Sequence, residues 1–193
     1  LKCYDLFIHK KKLCIITEYL NAGDLDNYVK KNKIKNESQI IEIFLKICVG
    51  VYSLHQNNII HRDLKPANIL INKNGEIKIC DFGISKFLHF TKLTNTLIGT
   101  PYFMSPEQIS SKYYDYKIDV WGIACILFFL IFNKYPFYGS SMSHLKYNIN
   151  KQNPFLNSKS KYNLLQDSFS FYTILDEMLH KNKHKRTDLK LFL

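Results

Sequence analysis

The most informative stretch of this sequence is HRDLKPAN at residues 61–68, and DFG follows it at residues 81–83. The first motif places a carboxylate, an ammonium and an amide close together, at Asp63, Lys65 and Asn68. A lone aspartate in a loop most often caps a turn, so Asp63 by itself would indicate nothing further. The polar side chains around it, and the second acidic motif after a predicted strand, favour a loop that carries chemistry.

Two further motifs follow on the C-terminal side of DFG. Residues 99–107 read GTPYFMSPE, and residues 119–122 read DVWG. Each short piece alone is a weak signal, but all of them in this order and spacing resemble the catalytic domain of eukaryotic-type protein kinases. Lys65 and the Gly-Thr pair at residues 99–100 resemble the corresponding residues of serine/threonine kinases rather than those of tyrosine kinases. The AGDL hinge at residues 22–25, the GTPYFMSPE motif and the absence of long inserts after Phe137 most resemble the NIMA-related group, although calcium/calmodulin-type and other kinases share much of this pattern.

The resemblance implies an enzyme that transfers the γ-phosphoryl group of ATP to serine or threonine hydroxyls of a protein substrate, with ATP and Mg²⁺ as cofactors. Such transfer depends on positioning and charge neutralisation more than on covalent chemistry. Asp63 would take the proton of the substrate hydroxyl, and Lys65 would place a positive charge against the transferring group. Asn68 and Asp81 would hold Mg²⁺, a hard cation that prefers oxygen ligands.

The stretch LCIITEYL at residues 13–20 resembles the strand and hinge over which the adenine of ATP lies in this family. The resemblance implies that Thr17 is the gatekeeper residue of the ATP pocket and that Glu18 and Leu20 offer backbone groups to the adenine. It also implies that Asp24 lies near the ribose, that Leu70 packs beneath the base and that Cys80 faces the pocket. Core packing explains each aliphatic residue here equally well, and a lone cysteine is usually inert.

The resemblance also implies a regulatory site that binds a phosphate group. Arg62 and Lys86 match basic residues that contact a phosphorylated activation loop in the family. Thr96 is the expected phosphate acceptor, with Thr94 and Thr91 as rivals. The alternative hypothesis is that these threonines are ordinary polar residues of a loop.

Three residues are expected to have structural roles. In the family, an arginine at the position of Arg186 pairs with a buried glutamate, here Glu107, and such a pair anchors the fold without taking part in the chemistry. Asp119 starts the segment that resembles the family's central buried helix. The chain has 25 lysines and only two arginines, Arg62 and Arg186, and arginine is the residue for fixed, forked ion pairs. Ser105 replaces the alanine of the family's Ala-Pro-Glu, which is a mild departure.

Hydrophobic periodicity predicts an α+β domain, in agreement with a protein-kinase-like fold that has its last small-lobe strands at the start and a mostly helical large lobe. The NKNG turn at residues 72–75 predicts a hairpin. Residues 81–107 show no sustained period and contain several threonines, two glycines and two prolines, so they are predicted to form one long loop. The predicted strands are 6–8, 13–17, 69–71 and 77–79, and the predicted helices are 25–31, 38–56, 117–132, 142–151 and 169–180.

Composition excludes several classes of protein. With 193 residues, 46% of them hydrophobic and 22% charged, the chain can bury a core, and disorder throughout is excluded. The net charge of +11 invites a nucleic-acid hypothesis, but lysines spread along the chain are typical of a solvated surface. The longest apolar run, residues 120–132, is too short to span a bilayer, and five scattered cysteines without a Cys-x-x-Cys pair favour neither zinc nor disulfides. We therefore expect an intracellular, cytoplasmic protein that binds a protein substrate but no nucleic acid and no membrane.

The motifs cover only part of the domain that they resemble. No G-x-G-x-x-G loop and no Val-Ala-Ile-Lys strand occur in these 193 residues. We expect residues 1–20 to be the end of the small lobe and the hinge, and residues 21–193 to be the large lobe with its last helix truncated. Three hypotheses stay open: an active kinase whose isolated 193-residue part has at most trace activity, an inactive kinase-like fragment or pseudokinase that acts as a binding scaffold, and a basic nucleic-acid-binding module.

Overall fold

The computed structural model describes residues 1–32, 34, 36–81, 101–155 and 169–193. Within these ranges the chain forms two separate antiparallel hairpins and a mostly helical body, so the α+β prediction is confirmed. The strands are β1 (Cys3–His9), β2 (Lys12–Thr17), β3 (Ile69–Ile71) and β4 (Ile77–Ile79). The helices are α1 (Leu25–Asn32), α2 (Glu37–Gln56), α3 (Pro106–Ile109), α4 (Lys117–Phe132), α5 (Met142–Lys151) and α6 (Phe169–Met178). Short 3₁₀ turns lie at Pro66–Asn68, Pro101–Phe103, Lys183–Lys185 and Leu189–Phe192.

The predicted elements agree with the structure except around α3. The bounds of β3, β4, α4 and α5 are those predicted, while α6 ends two residues before the predicted His180. The prediction of one long loop over residues 81–107 is wrong at residues 101–107, where a 3₁₀ turn and the start of α3 lie. The cause is a capping box: Ser105 Oγ accepts a hydrogen bond from Gln108 N at 3.3 Å, and Gln108 Oε1 accepts one from Ser105 N at 3.1 Å.

The first hairpin stands apart from the core. Strands β1 and β2 pair in register from His9 opposite Lys12 down to Asp5 opposite Ile16. No residue of either strand is buried, although many of their side chains are apolar. The hydrophobic core is therefore formed by the elements that follow, from α1 onwards.

Helix α4 lies at the centre of that core. Every residue from Ile118 to Leu130 is buried, and both α2 and α6 pack against the helix. Gly122 allows residue Leu64 of the HRDLKPAN loop to approach closely, because a Cβ on this glycine would lie 2.9 Å from Leu64 Cβ. The close approach fixes the position of the loop against the buried helix α4.

Helix α2 is the one helix within the described ranges that is long and apolar enough to cross a membrane by length and composition alone. Buried core helices of globular domains pass the same test. The predicted single buried stripe is confirmed by six buried side chains, and the helix packs on α4 and β4.

The half-buried Lys181 places its ammonium group against aromatic rings of the core. Lys181 Nζ is 3.9 Å from the centre of the Phe137 ring and 5.0 Å from that of Trp121, and these two rings stack at 5.5 Å. Nζ is buried and has no hydrogen-bond partner among the described residues. Burial lowers the pKa of Lys181 from 10.5 to about 8, and the positive charge of Arg186 acts in the same direction. Cation–π attraction, of about 0.5–2 kcal/mol, offsets only part of the desolvation of an ammonium group that has no acceptor.

Lys181→Met should therefore stabilise the protein at neutral pH. The folded state holds the Lys181 proton less tightly than the unfolded state, so wild-type stability should rise between pH 8 and 10.5 as this proton is released. The difference in free energy of unfolding between variant and wild type should shrink by about 3 kcal/mol from pH 7 to 10.5. Urea titrations of both proteins across this range measure it. Parallel pH profiles would contradict the prediction, since other groups that titrate here are common to both proteins.

Candidate active site

The two acidic motifs are brought together by the second hairpin. The backbone N–H of Cys80, at the end of β4, donates to the carbonyl oxygen of Asn68 at 3.0 Å. Asp81, the next residue, therefore lies beside the end of the HRDLKPAN loop. Asp81 has a φ of 56°, in the left-handed region that aspartate tolerates better than most residues, and it is exposed. The backbone thus turns sharply where the DFG motif begins.

Asp63 is the centre of a small polar cluster. Its Oδ2 atom accepts hydrogen bonds from Lys65 Nζ at 3.0 Å and from Asn68 Nδ2 at 3.2 Å. Asn68 Nδ2 also donates to the backbone oxygen of Asp63 at 2.8 Å. The sequence-predicted base, its neighbouring lysine and one predicted metal ligand therefore contact one another directly.

The orientation of the Asn68 side chain fits a role as a magnesium ligand. Both hydrogen bonds of its amide group run from Nδ2 to Asp63, so Oδ1 points away from that residue. Oδ1 and the exposed carboxylate of Asp81 are hard oxygen donors of the kind that Mg²⁺ binds. No group of three or more His, Cys, Asp or Glu side chains in the described part of the chain could hold a metal. Mg²⁺ does not need such a group, because it binds through one or two side chains together with phosphate oxygens and water.

His61 holds the loop against β4 and is fully buried. Its Nε2 lies 2.9 Å from the carbonyl oxygen of Cys80, and its Nδ1 accepts a hydrogen bond from Asp63 N at 3.3 Å. A carbonyl can only accept, so Nε2 carries the proton and the ring is the neutral Nε2–H tautomer. The imidazole thus links the loop backbone to the end of β4.

Asp119, at the start of α4, binds the backbone of the same loop. Its buried carboxylate accepts hydrogen bonds from His61 N and Arg62 N, both at 2.9 Å. His55 Nε2 donates to the same carboxylate at 2.9 Å. The structural role predicted for Asp119 agrees with these contacts. His55 was not predicted, because a polar residue near the end of a helix with a buried stripe is its only sequence signal.

Most of the predicted ATP-binding residues lie together around β3. Ala22 N donates to Ile71 O at 3.2 Å, and Ile71 N donates to Gly23 O at 2.9 Å, so the hinge segment runs along this strand. An isolated bridge pairs Asp24 with Leu70. Leu20 is buried next to this segment, and Cys80 Sγ lies 3.5 Å from Asn68 O. The Asp24 carboxylate caps α1, since it accepts hydrogen bonds from Asn27 N and Nδ2, each at 2.8 Å.

Thr17 and Glu18 lie at the end of the exposed hairpin. Thr17 Oγ1 donates to Glu18 O at 3.3 Å. Glu18 contacts Lys2, the residue before β1, twice, because its N–H donates to Lys2 O at 2.9 Å and its Oε1 accepts from Lys2 N at 2.6 Å. These contacts extend the β1–β2 ladder to the hinge.

Cys80 is a packing residue rather than a reactive one. Burial, and after it the neighbouring carboxylate of Asp81, raise the pKa of the Cys80 thiol to about 11. A thiol with so high a pKa stays protonated at neutral pH, and the thiolate is the reactive form.

Glu107 and Arg186 form a forked ion pair in the core. Arg186 Nη1 lies 2.7 Å from Glu107 Oε1, and Nη2 lies 3.1 Å from Oε2. The other guanidinium hydrogens reach backbone carbonyls: Nη1 donates to Lys117 O at 2.7 Å, and both Nε and Nη2 donate to His180 O at 3.2 Å. The ion pair ties α3 to the start of α4 and to the turn after α6.

The regulatory residues Lys86 and Thr96, together with Thr91 and Thr94, lie outside the described residues. Arg62 is half-buried, and its φ of 71° lies in the left-handed region. Gln108 of α3 donates through Nε2 to Arg62 O at 3.0 Å. This contact was not predicted from the sequence, although Ser105 followed three residues later by Gln108 is a capping-box pattern that predicts the start of a helix.

The chain is similar to known protein kinases over nearly its whole length. The family model described as protein kinase domain matches residues 1–192. Serine/threonine-protein kinase Nek11 of Mus musculus is 38% identical over 187 residues, which cover 93% of this chain and 28% of that protein. Probable serine/threonine-protein kinase nek3 of Dictyostelium discoideum is 42% identical over 151 residues, covering 74% of this chain and 13% of that protein. Mitogen-activated protein kinase kinase 1 of Arabidopsis thaliana is 41% identical over 137 residues, covering 70% of this chain and 39% of that protein.

The chain belongs to the protein kinase family. Among its relatives, several are Nek serine/threonine-protein kinases, so the predicted similarity to the NIMA-related group is confirmed. The chain spans less than a third of the length of the Nek11 proteins that it matches.

Proposed function

We propose that the protein transfers the γ-phosphoryl group of ATP to serine or threonine hydroxyls of a protein substrate. The observation that carries the proposal is the contact of Asp63 with both Lys65 and Asn68, beside Asp81. A carboxylate that can accept a proton, a lysine charge and two oxygen donors for a hard cation are together what phosphoryl transfer requires. The kinase names of the relatives favour this function over a binding scaffold.

In the proposed reaction the substrate hydroxyl oxygen forms a bond to the γ-phosphorus as the bond to the bridging oxygen of ADP breaks. Asp63 accepts the hydroxyl proton. Lys65, held at 3.0 Å from Asp63, places its ammonium group where charge develops on the transferring phosphoryl oxygens. Asn68 and Asp81 would hold Mg²⁺, which when bound neutralises charge on the phosphates.

The hinge would bind the adenine through its backbone. Glu18 N–H is already donated to Lys2 O, and Leu20 O accepts from Gly23 N at 3.2 Å. The Glu18 carbonyl accepts from Thr17 Oγ1 but has a second lone pair, so we assign this carbonyl and the Leu20 N–H to the base, with Leu70 beneath it and Asp24 near the ribose. Thr17 would be the gatekeeper. In this assignment residues 1–20 end the small lobe and residues 21–193 belong to the large lobe.

The test is phosphate transfer by the full-length protein from labelled ATP to a generic serine- and threonine-containing protein, with Mg²⁺ or with excess EDTA. Phosphoserine or phosphothreonine should form only with Mg²⁺. Nucleotide binding without any transfer would favour the scaffold hypothesis and would contradict the proposed reaction.

Arg62 gives a prediction about regulation. If a phosphate group on Thr96 binds Arg62 and Lys86, phosphorylation should raise activity about tenfold through new charge-assisted hydrogen bonds, and Arg62→Gln should remove most of this rise. The measurement is the ratio of activities of the phosphorylated and dephosphorylated protein, for wild type and variant. Thr96→Ala, Thr94→Ala and Thr91→Ala identify the acceptor. An equal ratio in wild type and Arg62→Gln would contradict the regulatory role.

A further inference from the structure

The backbone of Arg62 is held at both of its ends by side chains from different helices. Its φ of 71° is uncommon for a residue other than glycine and costs about 1–2 kcal/mol, so surrounding contacts must impose it. On one side, Arg62 N donates to Asp119 Oδ1 of α4 at 2.9 Å. On the other side, Gln108 Nε2 of α3 donates to Arg62 O at 3.0 Å.

The second of these contacts fixes the peptide unit that carries the proposed base. The carbonyl of Arg62 and the N–H of Asp63 belong to one planar peptide group. Gln108 binds the carbonyl, and His61 Nδ1 accepts from the N–H at 3.3 Å. Because both edges of the plane have partners, the direction in which Asp63 leaves the backbone is defined.

Gln108 is itself held rigidly. The residue is buried, and its amide oxygen accepts from Ser105 N at 3.1 Å while its amide nitrogen serves Arg62. The backbone N–H of Gln108 in turn donates to Ser105 Oγ at 3.3 Å. One side chain therefore joins the capped start of α3 to the loop of the active site.

We propose that Gln108 is a positioning residue for Asp63, an inference that rests on the proposed phosphoryl transfer. An apolar side chain at this position would fill the volume but leave the Arg62 carbonyl, in a half-buried residue, without its donor. The peptide unit could then rotate and carry the Asp63 carboxylate away from the substrate hydroxyl. Gln108 is not among the residues assigned to the nucleotide, so we expect the affinity for ATP not to depend on this contact.

The test compares Gln108→Met with Ser105→Ala in the full-length protein. Both variants break the capping box, but only Gln108→Met removes the hydrogen bond to Arg62 O. We expect similar falls in the thermal midpoint. For Gln108→Met, kcat per nucleotide-binding site should fall about tenfold with an unchanged KM for ATP, because a small displacement of a catalytic group is costly. For Ser105→Ala, kcat should stay within about twofold of wild type.

Gln108→Glu is the second variant, since its carboxylate keeps an acceptor for Ser105 N but has no N–H for Arg62 O. The same selective loss of kcat is expected. Unchanged kcat in both Gln108 variants, or equal losses in Ser105→Ala, would overturn the positioning role and leave Gln108 a capping residue. A wild-type protein that transfers no phosphate would overturn the proposed function itself, and with it this inference.

Discussion

Asp63→Asn in the full-length protein should lower kcat for phosphate transfer by about 10²-fold to 10⁴-fold, the usual range for a lost acid–base group. The substitution keeps the size of the side chain and an oxygen that can accept from Lys65 and Asn68, so the loop should keep its shape. It removes the group that accepts the hydroxyl proton. Nucleotide affinity should change little, because Asp63 is proposed to contact the hydroxyl and not the nucleotide. Steady-state kinetics together with nucleotide titration measure both quantities.

Asp115→Asn is the matched control for this change. Asp115 is also an aspartate paired with a lysine, since its Oδ2 lies 2.8 Å from Lys183 Nζ, and this pair together with a backbone hydrogen bond lowers the pKa of Asp115 despite its partial burial. It has no part in the proposed reaction, and partly exposed pairs of this kind contribute about 0–1 kcal/mol. The kcat of the Asp115→Asn variant should match that of the wild-type protein. Wild-type turnover by Asp63→Asn would remove Asp63 from the role of base.

The local features of the fold could be predicted from sequence, because they depend on neighbouring residues. Apolar periodicity placed α4 and α5 at their observed bounds, and the NKNG turn identified the β3–β4 hairpin. Helix α3 was missed because four residues are too few to show a period. Its capping box was visible in the sequence, and giving that pattern more weight than the missing period would have found the helix.

The contacts that shape the site join residues far apart in the chain. His55 reaches Asp119 across 64 positions, and Gln108 reaches Arg62 across 46. No local pattern distinguishes such a histidine or glutamine from a surface residue, since its partner is set by how helices pack. The same limit applies to Lys181: in a chain with 25 lysines nothing in the sequence indicates that its ammonium group lies against aromatic rings.

Truncation of Arg186 should destabilise the protein strongly. Arginine has five N–H donors in a fixed fork, and here all of them have acceptors: both oxygens of Glu107, and the carbonyls of Lys117 and His180. Glu107 is buried as well. Arg186→Met should lower the free energy of unfolding by about 3–5 kcal/mol, because it leaves a buried carboxylate without its partner. Urea titration at neutral pH measures the loss.

Arg186→Lys should also destabilise the protein although it keeps the charge. A lysine has three donors on one nitrogen and cannot bind both Glu107 oxygens and two separate carbonyls in the same geometry. We expect a loss of about 2 kcal/mol, smaller than that of Arg186→Met because the carboxylate keeps a counter-charge. This difference between two cations explains why a chain that uses lysine almost everywhere has an arginine at this position.

The double variant Glu107→Gln with Arg186→Met separates two contributions to the loss of stability: the unpaired charge of Glu107 and the backbone carbonyls that lose their donors. If most of the loss in Arg186→Met comes from the uncompensated Glu107 carboxylate, removing that charge should recover a large part of the stability. If the carbonyls of Lys117 and His180 carry the effect, the double variant should be as unstable as the single one. Thermal midpoints of Arg186→Met and Arg186→Lys equal to that of wild type would mean that the forked pair contributes nothing to folding, contrary to its complete burial and saturated hydrogen bonding.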